Sequence, residues 1–185
     1  LFEKHIIERL PGIATFDHVN PIITAQQNFD DLLIDPSHPS RSEKDTYYVT
    51  KNILYRTHLT GNESEFLKIG LDSFMLNGVV LRRDEIDSTH YPLFHQIEGV
   101  HRVAKYNVLC TDRARNDLVD SAPIQPCHSN AALVREACHH LMDSLEYVLK
   151  NILGRDIKYR WASCTFPFTF PSFELEVFYD GKWVE

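Results

Sequence analysis

The sequence lacks the features that mark several broad classes of protein. It has no run of about 18 apolar residues, the length that a membrane-spanning helix needs. It has no glycine-rich phosphate-binding loop. Acidic residues outnumber basic ones, 26 to 19, and the formal net charge is −7. Nucleic-acid-binding domains are usually basic, so any RNA contact is expected to be local or carried by another part of the protein.

The sequence contains few cysteines, and their spacing matches no common disulfide or metal-binding motif. None of the four cysteines forms a C-x-x-C pair; they are Cys110, Cys127, Cys138 and Cys164. We expect reduced thiols in an intracellular compartment rather than disulfides. The segment Cys138–His140 suggests a metal site, but neighbouring residues of a helix point in different directions, so a shared ion is not expected.

The remaining composition is that of a soluble globular domain. The 185 residues are 43% hydrophobic and 24% charged, enough for one domain with a substantial core. The first residue is Leu1 rather than Met. We therefore expect that the chain begins within a longer protein, with any targeting segment removed.

Apolar periodicity predicts three helices. The first runs through Ile6 and Leu10 and ends at Pro11-Gly12. The second spans about residues 61–76, with Thr60–Glu63 as a capping box and Asn77-Gly78 as the stop. The third covers about 131–153, and its apolar face comprises Val134, Cys138, Leu141, Leu145, Val148 and Ile152.

Strand patterns occur between and after these helices. The predicted strands are Tyr47–Val49, Val79–Arg83, Leu93–Val103, Lys158–Ser163, Phe173–Tyr179 and Lys182–Glu185. Residues 34–45 are rich in Pro, Ser and charge and indicate a loop. Asp180-Gly181 predicts a hairpin turn, with the last strand cut short. Strands joined by hairpins with helices inserted between them favour an α+β fold with an antiparallel sheet flanked by helices.

The segment Gly78–Gly99 holds the strongest chemical pattern. Two strands flank a polar turn, and alternation places Phe94, Gln96 and Glu98 on one face. Arg82 and Asp84 share a face of the first strand. This set suits a ligand with an ammonium, a flat ring and a phosphate. The pattern alone leaves open a solvated sheet face with cross-strand charge pairs.

The same segment resembles motif 2 of phenylalanine–tRNA ligases. The similarity lies in Arg82–Asp87, Thr89–Pro92 and Phe94–Gly99. Further blocks follow the order of that family, namely Asn28–Asp30, Leu32-Leu33, His38–Arg41, Asp45–Tyr48, Arg56–His58 and Phe166–Glu174. The resemblance covers about residues 20–104 and 156–185, and the stretch between them matches only as a helix.

The resemblance implies a class II synthetase catalytic core of the single-chain, organellar type. Residues 1–185 would form part of that catalytic domain, without motif 3 and without the anticodon-binding domain, so the fragment alone is not expected to turn over. The parent enzyme would use ATP, Mg²⁺, phenylalanine and tRNA(Phe). It would act as a monomer in a mitochondrion or another organelle, with no membrane contact.

On the nucleotide side, the resemblance implies four contacts. Arg82 would hold the α-phosphate and stabilise charge as the carboxylate attacks it. Phe94 would stack on adenine. Asp84, shorter than the family's usual Glu, and His90 match positions beside the nucleotide. No residue is assigned to a metal.

On the amino-acid side, Gln96 and Glu98 would bind the substrate ammonium, and His58 would lie on its carboxylate side. Thr60 keeps a hydroxyl where the family usually has Ser. The substrate ring would meet two aromatic side chains, Phe166 and Phe168. Taken alone, a Phe-Pro-Phe segment is more often part of a core than of a pocket.

Two departures from the family leave alternatives open. Leu59 and Glu63 replace the usual Thr and Gln, and Thr60 with Glu63 could cap a helix or contact the ligand. One alternative function is a degenerate synthetase-like protein serving as a structural or RNA-binding subunit. Another is an ATP-dependent amino-acid ligase that uses no tRNA.

Overall fold

A computed structural model describes residues 1–83, 85–87, 90–103, 116–123 and 131–184. The chain divides into two compact units. Unit A is Gly12–Arg102, and unit B combines Leu1–Pro11 with Val103–Glu185. Each unit has its own sheets and helices.

The regular elements are as follows. The helices are α1 (Phe2–Arg9), α2 (Thr60–Lys68), α3 (Asp117–Ser121) and α4 (Ala131–Leu153). The strands are β1 (Ala14–Phe16), β2 (Ile22–Thr24), β3 (Tyr48–Thr50), β4 (Ile53–Tyr55), β5 (Ser73–Leu81), β6 (Leu93–His101), β7 (Tyr159–Phe166), β8 (Thr169–Tyr179) and β9 (Lys182–Val184). A π-helical turn, Gln26–Asp30, and a 3₁₀ turn, Pro39–Arg41, precede β3.

Unit A contains two three-stranded sheets. One has the order β1-β5-β6, with β1 parallel to β5 and β6 antiparallel to it. The other has the antiparallel order β2-β4-β3. The core beneath the first sheet is formed by Leu59, Phe74, Leu76 and Val80. A smaller cluster supports the second sheet and contains Ile23, Phe29 and Leu54.

Unit B contains an antiparallel sheet, β7-β8-β9, and helices α1, α3 and α4, with both α1 and α3 packed against α4. The turn between β8 and β9 has positive φ at both central residues, 46° at Asp180 and 80° at Gly181. Such a turn matches the twist of the flanking strands. Asp and Gly favour it, because Gly adopts positive φ freely and Asp does so more readily than most residues. The predicted hairpin is confirmed.

The predicted α+β class is confirmed, although the β1–β5 pair makes one sheet mixed rather than purely antiparallel. The bounds predicted for the third helix match α4. Its buried face is shifted from the prediction, because Leu141 is 53% exposed while His139 and Met142 are buried. The predicted apolar face was therefore wrong at Leu141.

The second helix is shorter than predicted. It ends at Lys68, and Gly70 then adopts a φ of 91°. The next apolar residues form β5 rather than continuing a helix, and three consecutive ones, Phe74, Met75 and Leu76, are buried. The apolar residues of this stretch have the spacing of a helix in the sequence, but they form a buried strand. Tertiary contacts outweighed the local pattern.

The predicted capping box at the start of α2 was also wrong. Leu59 occupies the cap position with no side-chain cap, and Thr60 already belongs to the first turn. The Thr60 hydroxyl donates instead to Glu98 on β6. A contact across the fold replaced the local one.

Smaller predictions had mixed outcomes. The 34–45 loop holds a 3₁₀ turn, and the strand predicted at Tyr47–Val49 begins one residue later. Both cysteines in the described part of the chain, Cys138 and Cys164, are thiols. Cys110 and Cys127 lie outside the described residues, as does Asp84. Among the helices that the structure describes, none is both long and apolar enough to cross a bilayer.

Candidate active site

One face of β6 carries the polar pattern expected from the sequence. Burial alternates along the strand, with Phe94, Gln96 and Glu98 half-buried and the residues between them exposed. In the register with β5, these three residues lie opposite Val80, Gly78 and Leu76, respectively. The shared face is confirmed. It lies against the unit A core, because Leu76 and Val80 are fully buried.

A buried arginine supports this face from beneath. Arg56 is 1% exposed, and its guanidinium donates to Val79 O, Val19 O, Asn20 O and Asn62 Oδ1 at 2.8 to 3.3 Å. A Cβ at Gly78 would lie 2.2 Å from Arg56 Nη2, so Gly78 leaves the space that the guanidinium fills. No role was predicted for Arg56 from the sequence. Gly78 could have indicated it, because a glycine inside a strand pattern often marks the close approach of another group.

The amino end of α2 meets β6 through two hydrogen bonds. Gln96 Oε1 accepts from the Leu59 backbone N–H at 3.0 Å. The Thr60 hydroxyl donates to Glu98 Oε1. The predicted residues Thr60, Gln96 and Glu98 are therefore brought together, and Thr60 orients a carboxylate.

Glu98 is only half satisfied. Its second oxygen, Oε2, is buried and has no hydrogen-bond partner among the described residues. Burial raises the pKa of Glu98, while the hydrogen bonds from Thr60 oppose that rise. A second carboxyl group, Glu63, lies on α2, and burial together with the negative charge of Glu98 raises its pKa to about 8. At neutral pH this pair therefore holds a proton.

His58 precedes Thr60 and is held in one tautomer. Its Nε2–H donates to the carbonyl oxygen of Asn28 at 3.1 Å, which can only accept. Burial, and secondarily the positive charge of Arg82, lower the pKa of His58 to about 4, so the ring is neutral at pH 7. Its Nδ1 is then a buried acceptor, and no donor to it exists among the described residues.

Arg82 lies just beyond β5, on the same face and at the Phe94 end. Its Nε donates to Thr57 O at 2.9 Å, and its guanidinium carbon lies 5.3 Å from the centroid of the Phe94 ring. The backbone N–H of Arg82 donates to Pro92 O, so Arg82 is closer to Phe94 along the strand than to Gln96 or Glu98.

A pocket of about 370 Å³ opens beside Arg82 and His58. Its far wall comes from the loop before β3, where Ser40, Asp45 and Thr46 line it. Thr46 is 1% exposed, and its hydroxyl donates to Ser40 O at 2.6 Å. In the sequence, this block was noted only as part of the resemblance. The loop lines the pocket because of its position in the tertiary structure, which periodicity does not reveal.

Three further predicted residues belong to other segments of the chain. His90 is exposed in the β5–β6 connection, where its Nδ1 contacts the Asp87 carboxylate at 2.8 Å. Phe166 and Phe168 belong to unit B, where their ring centroids are 6.3 Å apart and both rings are about 40% exposed. The core alternative for these two rings does not fit that exposure.

In the described part of the chain, no group of three or more His, Cys, Asp or Glu side chains could hold a metal ion. The charged and aromatic groups of the candidate site are Arg82, the Phe94 ring, the neutral His58 and the acidic pair of Glu63 and Glu98.

Comparison with known families gives one match that spans most of the chain. The family described as "tRNA synthetases class II core domain (F)" matches residues 11–119 and 104–185.

Curated relatives have similar sequences. The chain is 40% identical over 194 residues to a protein of Drosophila melanogaster named "Probable phenylalanine--tRNA ligase, mitochondrial", covering 95% of the chain and 43% of that protein. It is 37% identical to "Phenylalanine--tRNA ligase, mitochondrial" of Dictyostelium discoideum, covering 100% of the chain and 40% of the relative. It is 38% identical to "Phenylalanine--tRNA ligase, chloroplastic/mitochondrial" of Arabidopsis thaliana, covering 92% and 35%. The chain thus spans less than half the length of these relatives.

A solved structure shares the fold. The crystal structure of pyrrolysyl-tRNA synthetase from Desulfitobacterium hafniense matches with a TM-score of 0.57 at 13% identity, covering 98% of this chain and 55% of that one.

Proposed function

This chain belongs to the tRNA synthetase class II core domain family, and we propose that the protein containing it activates phenylalanine with ATP and transfers it to tRNA(Phe). The names of the relatives, all phenylalanine–tRNA ligases, support the choice of amino acid and of tRNA. Their names also support a mitochondrial or other organellar location. We keep the proposal of a monomer.

The observation that carries the proposal is the order of groups along β6. A cation and an aromatic ring, Arg82 and Phe94, stand at one end, and the carboxyl of Glu98 stands four residues away. Four residues of a strand span about 13 Å. An aminoacyl adenylate has its adenine and phosphate at one end and its ammonium at the other, so it suits this order.

The proposed reaction begins when the phenylalanine carboxylate attacks the α-phosphorus of ATP. A carboxyl–phosphate bond forms, the bond to the β-phosphate oxygen breaks, and pyrophosphate leaves. Negative charge accumulates on the α-phosphate oxygens, and the Arg82 guanidinium, which is held by its bond to Thr57 O, would stabilise that charge. Class II synthetases generally use ATP with Mg²⁺, which would neutralise further phosphate charge. Mg²⁺ at nucleotide sites is usually held by one or two carboxylates together with the substrate phosphates.

Phe94 and Arg82 would receive the nucleotide. Phe94 packs against the unit A core, and the Arg82 guanidinium lies over its ring, so adenine would share this ring with the guanidinium. His90 and Asp84 remain our proposed contacts on the nucleotide side.

The amino-acid half would be bound by the acidic end of the face. Gln96 and Glu98 would accept hydrogen bonds from the ammonium, with Thr60 holding the Glu98 carboxylate in position. His58 remains the proposed contact on the carboxylate side, with its Nε2–H bonded to Asn28 O. Phe166 and Phe168 are proposed to contact the phenylalanine ring, since both rings are partly exposed.

The test uses the full-length protein in two assays. ATP–pyrophosphate exchange is measured with each of the twenty amino acids, followed by charging of tRNA(Phe). The proposal expects exchange that depends on phenylalanine, and charging of tRNA(Phe) with it. Exchange without charging would indicate a ligase that uses no tRNA, and absence of exchange with every amino acid would indicate a degenerate subunit.

A further inference from the structure

The acidic end of the face contains more negative charge than its surroundings can balance. Glu98 has one buried oxygen with no donor among the described residues. Glu63 is half-buried on α2, three residues after Thr60, and residues spaced by three share a helix face. Since Thr60 bonds to Glu98, that face of α2 points toward β6.

Among the described residues of the neighbouring elements, no cation is free to pair with these two carboxyl groups. Arg56, from the segment after β4, uses its guanidinium on Val79 O, Asn62 Oδ1 and two further carbonyls. The π-helical turn contributes Gln27, which donates to Glu65 on the exposed side of α2. From β6 the titratable group facing Glu63 is Glu98, whose charge disfavours ionisation of Glu63. Two ionised carboxylates in this place would be buried without compensation, which is costly.

We propose that Glu63 and Glu98 share one proton in the ligand-free protein and release it to solvent when the α-ammonium of the amino acid binds, so that Glu63 sets the pH range of amino-acid capture. This inference rests on the proposed function. The chemistry is an acid–base exchange in which a carboxyl O–H bond breaks, the proton passes to water, and the ammonium takes its place. The acid pair changes from a net charge of −1 to −2 as it receives a single positive charge.

The sign of the pH effect follows from this exchange. Below the titration of the pair, binding must displace a proton, so affinity rises with pH. Above it, both carboxylates are already ionised and that dependence ends. Because the two groups titrate together, the midpoint belongs to the pair rather than to either residue.

The test is isothermal titration calorimetry of phenylalanine with the full-length protein, in phosphate and in Tris buffer, between about pH 6 and about pH 8. The difference between the buffers gives the number of protons released. Wild type should release close to one proton per phenylalanine at the lower pH, and Kd should fall up to about tenfold per pH unit. Glu63→Gln keeps the shape but removes the titration, so proton release should disappear and Kd should vary less than about twofold.

The matched control is Glu65→Gln, on the same helix but exposed, which should behave as wild type. Wild-type binding without proton release, or unchanged release in Glu63→Gln, would overturn the shared proton and leave the proposed function intact. No phenylalanine binding by wild type would contradict both.

Discussion

The two units differ in how many polar side chains they bury and in how many aromatic rings they expose. Among the described residues, three polar side chains are buried in unit B and six in unit A, the latter being Asn28, Thr46, Arg56, Thr57, Thr60 and Asn62. The sheet of unit B exposes six large aromatic side chains, namely Phe166, Phe168, Phe170, Phe178, Tyr179 and Trp183. Buried polar groups must be paired, so they allow few alternative arrangements. Unit A therefore fixes the positions of its functional groups, whereas unit B presents ring surface.

The same contrast is visible in two arginines. Arg56 is buried and joins β5, α2 and the Val19-Asn20 segment through neutral acceptors. Arg160 in β7 pairs with Glu176 and lies 4.3 Å from the Trp183 ring centroid on an exposed surface. Exposed ion pairs contribute little to stability, while a buried donor fixes the groups around it.

The first prediction concerns the stability that the buried Arg56 gives to unit A. Arg56→Ala leaves several buried acceptors without donors, and each orphaned group is costly. The free energy of opening of β5 and β6 should fall by about 3–5 kcal/mol, as measured by hydrogen exchange of their amides. Arg160→Ala is the control and should leave exchange in β7 and β8 nearly unchanged. Equal losses in the two variants would contradict the contrast between the units.

The second prediction concerns the space that Arg56 fills. Gly78→Ala would place a Cβ 2.2 Å from Nη2, and this guanidinium cannot move easily because its acceptors hold it. We expect a loss of about 1–3 kcal/mol in β5 opening by the same measurement. Gly99→Ala, whose Cβ would lie 3.3 Å from Phe74 O, should cost less. Combined with Arg56→Ala, the Gly78 substitution should add little, and full additivity would contradict the steric account.

The third prediction addresses the exposed rings. Phe168→Ala in the full-length protein should change stability little, because the ring is 40% exposed. It should raise the activation efficiency of a para-halogenated phenylalanine relative to phenylalanine by roughly tenfold, since volume opens beside the para position. The measurement is the ratio of the two efficiencies from pyrophosphate exchange. An unchanged ratio would remove Phe168 from the proposed substrate contacts.

Local rules predicted part of this molecule well. The alternation of Phe94, Gln96 and Glu98, the Asp180-Gly181 turn and the bounds of α4 depend on neighbours in the chain. The predicted length of α2 and the predicted capping role of Thr60 were wrong, because β5 and β6 supplied contacts that no local pattern encodes. Motif 2 was visible through resemblance, which named its residues but not their hydrogen-bond partners.

Two groups of the site were not predicted, for different physical reasons. Arg56 can be buried because Gly78, on a strand distant in sequence, has no side chain and leaves room for its guanidinium. The acid pair depends on α2 packing against β6, which brings Glu63 within electrostatic reach of Glu98. Both arise from long-range packing, which the spacing of residues in one sequence does not report.

The most direct test compares two adjacent arginines. Arg82 donates to Thr57 O and lies over Phe94, whereas Arg83 is exposed and donates to Glu43 O. Phenylalanine-dependent pyrophosphate exchange is measured in full-length Arg82→Ala and Arg83→Ala, with phenylalanine binding measured in parallel. Exchange should fall a few hundredfold in Arg82→Ala, equivalent to about 3–4 kcal/mol, with little loss of phenylalanine binding and little change in Arg83→Ala. A decrease of less than about tenfold in Arg82→Ala, or an equal decrease in both variants, would contradict the assignment of Arg82 to the transferred phosphate.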